Sequence, residues 1–153
     1  RSKKIFDITL KLFLISLKLI WHKDENLMSA QEKMVFLVVD DSKISRKWLI
    51  EMIPKKIVEN AEIIEGCNGE EAIALYEAHR PDVVFLDITM PIIDGFEALE
   101  RIRTINPEAL VVMISADRQK STKEKVLSLG ASAIISKPID EEEFRTTLLK
   151  LVF

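Results

Sequence analysis

The chain has 153 residues, 48% hydrophobic and 31% charged, which suits one domain with a real core and a small appendage. Four glycines and five prolines exclude collagen-like and linker-like chains, and a single cysteine excludes a disulfide framework and a cysteine-based zinc site. Two distant histidines, His22 and His79, exclude a histidine-rich metal centre, and a net charge of −3 is too mild for a nucleic-acid binder. That charge is unevenly divided. Residues 1–33 are net +3 and residues 34–153 are net −6, so the two parts are read separately.

The sequence begins at Arg1, and residues 5–21 are strongly apolar. The longest uncharged stretch is residues 12–17, between Lys11 and Lys18, too short for a membrane span of about 20 residues. The two lysines also break the apolar centre that a signal peptide needs. At about 100° per residue, Lys4, Asp7, Lys11 and Lys18 fall on one narrow stripe. Residues 1–33 therefore read as an N-terminal extension. It is either an amphipathic helix able to lie on a membrane or a partner through residues 5–21, or a non-native leader. Asp24-Glu25-Asn26 reads as a solvated break, and Met28 and Met34 are both candidate native starts.

From Met34 onward short apolar runs alternate with amphipathic stretches. Residues 35–39 are a continuous apolar run ending in Asp40-Asp41. Ser42 caps a helix with Ile44, Trp48, Leu49, Met52 and Ile53 at apolar positions, closed by Pro54. Residues 61–64 are a second strand, and residues 69–79 a helix with Ala72, Leu75 and Tyr76 at inward spacing. A third run, 82–86, ends in Asp87, and the helix over 96–105 aligns Phe96, Leu99 and Ile102. A fourth run, 110–114, ends in Ser115, and a helix over 123–129 stops at Gly130. A fifth run, 133–135, ends in Ser136-Lys137-Pro138, and Asp140 caps a last helix to about residue 151. Strands this apolar are buried on both faces, which defines an α/β class: a doubly wound, five-stranded parallel sheet between helical layers. Such sheets bind ligands at the carboxyl ends of their strands, where strand order reverses.

Polar residues fall at that end. Asp40-Asp41, Asp87, Ser115 and Lys137 each close a strand. Carboxylates brought together repel one another and raise their own pKa values. A divalent cation removes the conflict, and all-oxygen ligation suits Mg2+, which keeps waters and bridges to phosphate. A lysine and a hydroxyl beside it suit phosphoryl oxygens, whose transfer depends on positioning and charge neutralisation. Asp87 can itself be the nucleophile. Each feature alone is ordinary: an Asp pair is a turn and cap, a serine a cap, Lys-Pro a surface turn. Their conjunction at successive strand ends is what points to a site.

In these residues the chain resembles the receiver domains of response regulators in two-component signalling, of the chemotaxis-regulator kind. The resemblance is carried by Val38-Val39-Asp40-Asp41-Ser42, Asn68-Gly69-Glu70-Glu71-Ala72, and Pro81-Asp82-Val83-Val84-Phe85-Leu86-Asp87-Ile88-Thr89-Met90-Pro91. Asp94-Gly95, Ile114-Ser115-Ala116, Gly130-Ala131 and Lys137-Pro138 continue it. It covers residues 34–153 and leaves 1–33 outside. It implies a flavodoxin-like sheet of strand order 2-1-3-4-5. It also implies Mg2+-dependent transfer of a phosphoryl group from a histidine kinase or phosphotransfer protein to Asp87, which switches contacts with a downstream protein target. Carried over by position, Asp87 is the phosphoacceptor. Asp41 ligates Mg2+ directly and Asp40 through water, with Asp87 and the backbone carbonyl of Thr89 as further ligands. Lys137 pairs with Asp87 and then with phosphoryl oxygens, and Ser115 shifts to hydrogen-bond the phosphoryl group. The Lys137–Pro138 peptide is cis. Thr89 and Asp117 stand where family members tune dephosphorylation. The resemblance further implies a cytoplasmic phosphoacceptor rather than a turnover enzyme, without direct nucleic-acid binding in this chain. One position departs from the pattern. Three residues before Lys137 many receivers carry Tyr or Phe, and here Ile134 stands instead, which puts the usual aromatic readout in question.

Other readings compete with this one. A small phosphohydrolase with an Asp nucleophile usually needs Asp-x-Asp, but Ile88 and Thr89 follow Asp87. A flavodoxin-type nucleotide carrier needs a Ser/Thr/Gly-rich loop where Asp40-Asp41 stands. A docking module that has lost phosphorylation would not need the full residue set, which is present. With no output domain after the last helix, the expectation is a stand-alone receiver or a piece of a longer regulator. Cys67, His79, Trp48 and Glu141-Glu142-Glu143 read as packing, surface and helix-start residues.

Overall fold

A computed structural model describes residues 2–21 and 33–153. Asp24-Glu25-Asn26 and Met28 lie outside the described residues, as do the side chains of Lys4 and Lys18. In chain order the elements are α1 (Ser2–Trp21), β1 (Met34–Val39), α2 (Lys43–Met52), α3 (Lys55–Val58), β2 (Ala61–Gly66) and α4 (Gly69–His79). They continue with β3 (Val83–Asp87), α5 (Gly95–Ile105), β4 (Val111–Ser115), α6 (Lys120–Ser128), β5 (Ala133–Ser136) and α7 (Glu141–Val152).

Alternation along the strands decides the architecture. In β1, Phe36 and Val38 face one side of the sheet and Leu37 and Val39 the other, and all four are buried. β3 and β4 are buried at every position. Strands apolar on both sides are satisfied only between two helical layers. Leu49 of α2 and Phe144, Leu148 and Val152 of α7 cover one face. Ala72 and Tyr76 of α4, Ala98, Leu99 and Ile102 of α5 and Val126 of α6 cover the other. Phe85 centres the first face, its ring 5.2 Å from that of Phe144 and 6.3 Å from that of Phe36. All pairings are parallel and the strand order is β2-β1-β3-β4-β5, as the resemblance implied.

The helix starts follow local chemistry. Ser42, Asn68, Asp94 and Asp140 each accept a hydrogen bond from the backbone N–H three residues on. α6 starts at Lys120, a turn earlier than residue 123. Asp117 accounts for this, because its carboxylate accepts from the Gln119 N–H and the Thr122 hydroxyl and so braces the first turn. Pro54 follows the end of α2 as expected, but it also opens the single turn α3, which apolar spacing did not signal. Leu49 of α2 and Ile53 just after it are buried, while Ile44 and Trp48 are 60% and 61% exposed. The latter pair lies roughly 100° or more around the helix from the former, outside the stripe the sheet can cover.

α1 packs at the amino ends of the strands. Lys11 Nζ lies 2.7 Å from Asp82 Oδ1, and Leu12 and Ile15 pack against the core face that α7 covers. The expected polar stripe therefore turns towards the domain at Lys11, while Leu10, Phe13, Leu14 and Leu17 are exposed. No helix among the described residues is long and apolar enough to cross a membrane.

Candidate functional site

β1 and β3 are adjacent, and the sheet grows in opposite directions from them, so the loops at their carboxyl ends part and leave a crevice. Of the polar residues expected there, the three aspartates and Lys137 come within contact of one another, and Ser115 stands at the end of the neighbouring strand. Asp40 and Asp41 follow β1, Asp87 ends β3, Ser115 ends β4, and Lys137 follows β5. Carboxylate oxygens of Asp40, Asp41 and Asp87 lie within 4.8 Å of one another. Lys137 Nζ bridges two of them, 3.0 Å from Asp40 Oδ2 and 3.3 Å from Asp87 Oδ2.

Every polar group of Asp40 is engaged. Its N–H donates to the Gly66 carbonyl at 3.2 Å, and its Oδ1 accepts from the Ser42 N–H at 2.8 Å. Its Oδ2 takes Lys137, and its carbonyl accepts from Arg46 Nη1 at 2.7 Å. Asp41 is exposed, and its carboxylate makes no hydrogen bond among the described residues. Asp87 is buried, and its carboxyl is pushed up from 3.8 to about 6. Burial is the main cause and the Asp40 charge adds to it, while Lys137 pulls in the opposite direction. The Lys137 ammonium is held above its ordinary value. Burial opposes that, but hydrogen bonds and charge attraction to Asp40 and Asp87 outweigh it. One ammonium thus serves two of three clustered carboxylates, and the surplus negative charge has one exposed side at Asp41. An all-oxygen set of this kind fits a hard divalent cation.

Backbone geometry sets the β3–α5 turn. A Cβ on Gly95 would sit 2.3 Å from the Asp87 carbonyl oxygen, and the Gly95 N–H donates to the Ile88 carbonyl at 2.7 Å. Only glycine lets the start of α5 pass this close to the end of β3. Thr89, in this turn, is exposed, and its carbonyl accepts no hydrogen bond among the described residues. Ile92 has φ 70, left-handed for a β-branched residue, and is 74% exposed.

The Ser115 hydroxyl donates to the Asp117 carbonyl at 3.1 Å and receives the Asp117 N–H at 3.0 Å, so it is held by the β4–α6 loop. The Lys137–Pro138 peptide is cis, as the resemblance implied. Arg118 Nη2 donates to the Lys137 carbonyl at 3.2 Å and joins the two loops. Ile134 is half-buried against the core face of α5 and α6, opposite Met113. Cys67 is exposed, and its thiol is held above the ordinary value, first by its hydrogen bond with Glu71. That leaves it protonated and outside the site's chemistry.

Arg46 is the residue the sequence did not signal. Its spacing on α2 matches that of the surface lysines Lys43 and Lys47. Only the fold shows its guanidinium between the Asp40 carbonyl and Glu65 Oε1, the latter 3.0 Å from Nε.

Fold and site together define a doubly wound α/β domain with an acidic, lysine-bridged crevice at its switch point. The sequence profile of the "Response regulator receiver domain" matches residues 36–149, and the chain belongs to that family. It is 42% identical over 108 residues to "Protein CcdB" of Bacillus subtilis, covering 69% of this chain and 86% of that protein. It is 36% identical over 106 residues to "Chemotaxis protein CheY" of the same organism, covering 69% and 87%. Among solved structures, a chain of the CheX–CheY–BeF3–Mg2+ complex from Borrelia burgdorferi is similar. Its TM-score is 0.73 at 32% identity, over 82% of this chain and 94% of that one. Receiver domains of this type are signalling proteins and typically bind Mg2+ at the acidic pocket.

Proposed function

We propose that residues 34–153 form a phosphoaccepting switch in which Asp87 takes a phosphoryl group from a histidine kinase or phosphotransfer protein. The observation that carries this reading is the single ammonium of Lys137 shared by Asp40 and Asp87, beside an exposed Asp41 whose carboxylate makes no hydrogen bond among the described residues. α1 packs at the opposite end of the strands and takes no part in the site.

Asp41, Asp40, Asp87 and the Thr89 carbonyl would hold Mg2+, which when bound neutralises the charge of the carboxylates and the incoming phosphoryl oxygens. Asp87 Oδ2 is paired with Lys137, whereas Oδ1 carries no hydrogen bond among the described residues, and we assign Oδ1 as the nucleophile. It attacks phosphorus as the bond to the donor's imidazole nitrogen breaks, and the leaving imidazole takes a proton from solvent. Lys137 then exchanges a carboxylate for a phosphoryl oxygen. Ser115 leaves the Asp117 backbone and donates to a second phosphoryl oxygen, which frees the β4–α6 loop to change its contacts with a downstream protein. Half-buried Ile134 presents no ring to turn inward, so in this reading the loop itself carries the change.

The test is intact-mass analysis after incubation with Mg2+ and acetyl phosphate. The expected result is one base-labile phosphoryl adduct in wild type and none in Asp87→Asn or without Mg2+. No adduct from acetyl phosphate or phosphoramidate, together with no binding of beryllofluoride, refutes the reading.

A further inference from the structure

We infer that Arg46 is a positioning residue for the metal, acting through the peptide that joins Asp40 to Asp41. The inference rests on the metal reading above. Among the described residues Asp41 is the carboxylate of the three that makes no hydrogen bond, so its aim is set by the backbone that carries it. The Asp40–Asp41 peptide plane is in turn held through the Asp40 carbonyl, at 2.7 Å from Arg46 Nη1. Asp40 cannot set that plane alone. Its Oδ1 accepts from the Ser42 N–H beyond Asp41 and so braces the far side of the turn, while the carbonyl between them is held by Arg46.

Arg46 is itself anchored. Its Nε donates to Glu65 Oε1 at 3.0 Å, and Glu65 sits on β2 opposite Val38 of β1. Its side chain is only 14% exposed, against 72% for Lys47. The fork geometry of a guanidinium allows both bonds at once. Arg46 lines a mostly apolar cavity of about 210 Å³ together with Trp48, Leu49 and Met52, and with Asp40 and Lys137 at its polar side, so space exists for an apolar replacement of similar length.

Charge alone and positioning predict opposite signs. A guanidinium beside a metal site repels the cation, so if Arg46 acted only as a charge its removal would tighten metal binding. If it aims Asp41, its removal weakens binding despite the lost repulsion. Residues that orient metal ligands typically contribute about 10-fold or more to affinity.

The experiment titrates the full chain with Mn2+ as a Mg2+ surrogate, following the free ion by its EPR signal, for wild type, Arg46→Met and Arg46→Lys. Thermal melts in EDTA report folding. The expected result is a Kd about 10-fold weaker for Arg46→Met and partial recovery in Arg46→Lys, which keeps a donor for the Asp40 carbonyl. Wild type that binds Mn2+ with an Arg46→Met variant of equal or tighter affinity overturns the role of Arg46 and leaves the metal reading standing. A lower melting temperature with unchanged Mn2+ affinity overturns it in the same way, as a purely structural contribution. Wild type that binds no Mn2+ overturns the metal reading and this inference with it.

Discussion

Asp87→Asn should stabilise the metal-free protein, and the gain should depend on pH. The Asp87 carboxyl is buried beside Asp40 and titrates near 6 instead of 3.8, even with Lys137 attracting it. Ionising it in the folded chain rather than the unfolded one therefore costs about 3 kcal/mol at neutral pH. Solvent reaching the crevice at exposed Asp41 screens part of this, so about 1–3 kcal/mol is expected. For a chain of 153 residues that corresponds to a rise of about 3–10 °C in melting temperature. The sign comes from a raised native pKa. Between about pH 4 and pH 6 the folded state binds the proton and the unfolded state does not, so wild type loses stability as pH rises through this window and stays at the lower value above it. Asparagine has no such slope, and the advantage of the variant should shrink several-fold from about pH 7.5 to about pH 4. Thermal melts in EDTA at the two pH values, and again with MgCl2, provide the assay. Mg2+ should raise the wild-type melting temperature more than that of the variant. A variant no more stable than wild type at the higher pH, or equally more stable at both pH values, would refute the account of the crevice as a store of unneutralised charge.

Two backbone predictions accompany it. Ile92→Asn should stabilise the domain by about 1 kcal/mol in urea unfolding, because asparagine tolerates the left-handed φ of 70 that a β-branched residue resists, and the side chain is 74% exposed. A loss of stability there would mean that Ile92 makes a contact that outweighs the strain. Gly95→Ala places a Cβ 2.3 Å from the Asp87 carbonyl oxygen, so about 2 kcal/mol or more of stability should be lost together with beryllofluoride binding. Unchanged binding would show that the end of β3 yields without moving Asp87.

Much of the molecule was legible before the fold. The apolar runs closed by Asp40-Asp41, Asp87, Ser115 and Ser136-Lys137 indicate a parallel sheet, because consecutive apolar positions are satisfied on a strand covered on both faces, as β3 and β4 are. Caps such as Ser42 and Asp140 were legible for a similarly local reason: a side-chain oxygen satisfies a backbone N–H three residues away. The misjudged boundaries depend on less regular contacts. The early start of α6 needs the bidentate grip of Asp117, and the turn α3 has no apolar spacing to announce it.

By itself the sequence determined the class of fold, the family and the residues at the strand ends, since periodicity, capping and motif spacing act over a few residues along the chain. Tertiary structure alone decided how those residues share charge. That one ammonium bridges Asp40 and Asp87, and that burial lifts Asp87 to about 6, depends on strands 97 residues apart for the Lys137–Asp40 pair. The same holds for Arg46, whose spacing matches a surface lysine until β1 and β2 pair and bring Glu65 and the Asp40 carbonyl to opposite ends of its guanidinium. Electrostatic energies in a crevice fall off over a few ångströms, and only folding sets distances on that scale between residues remote in sequence.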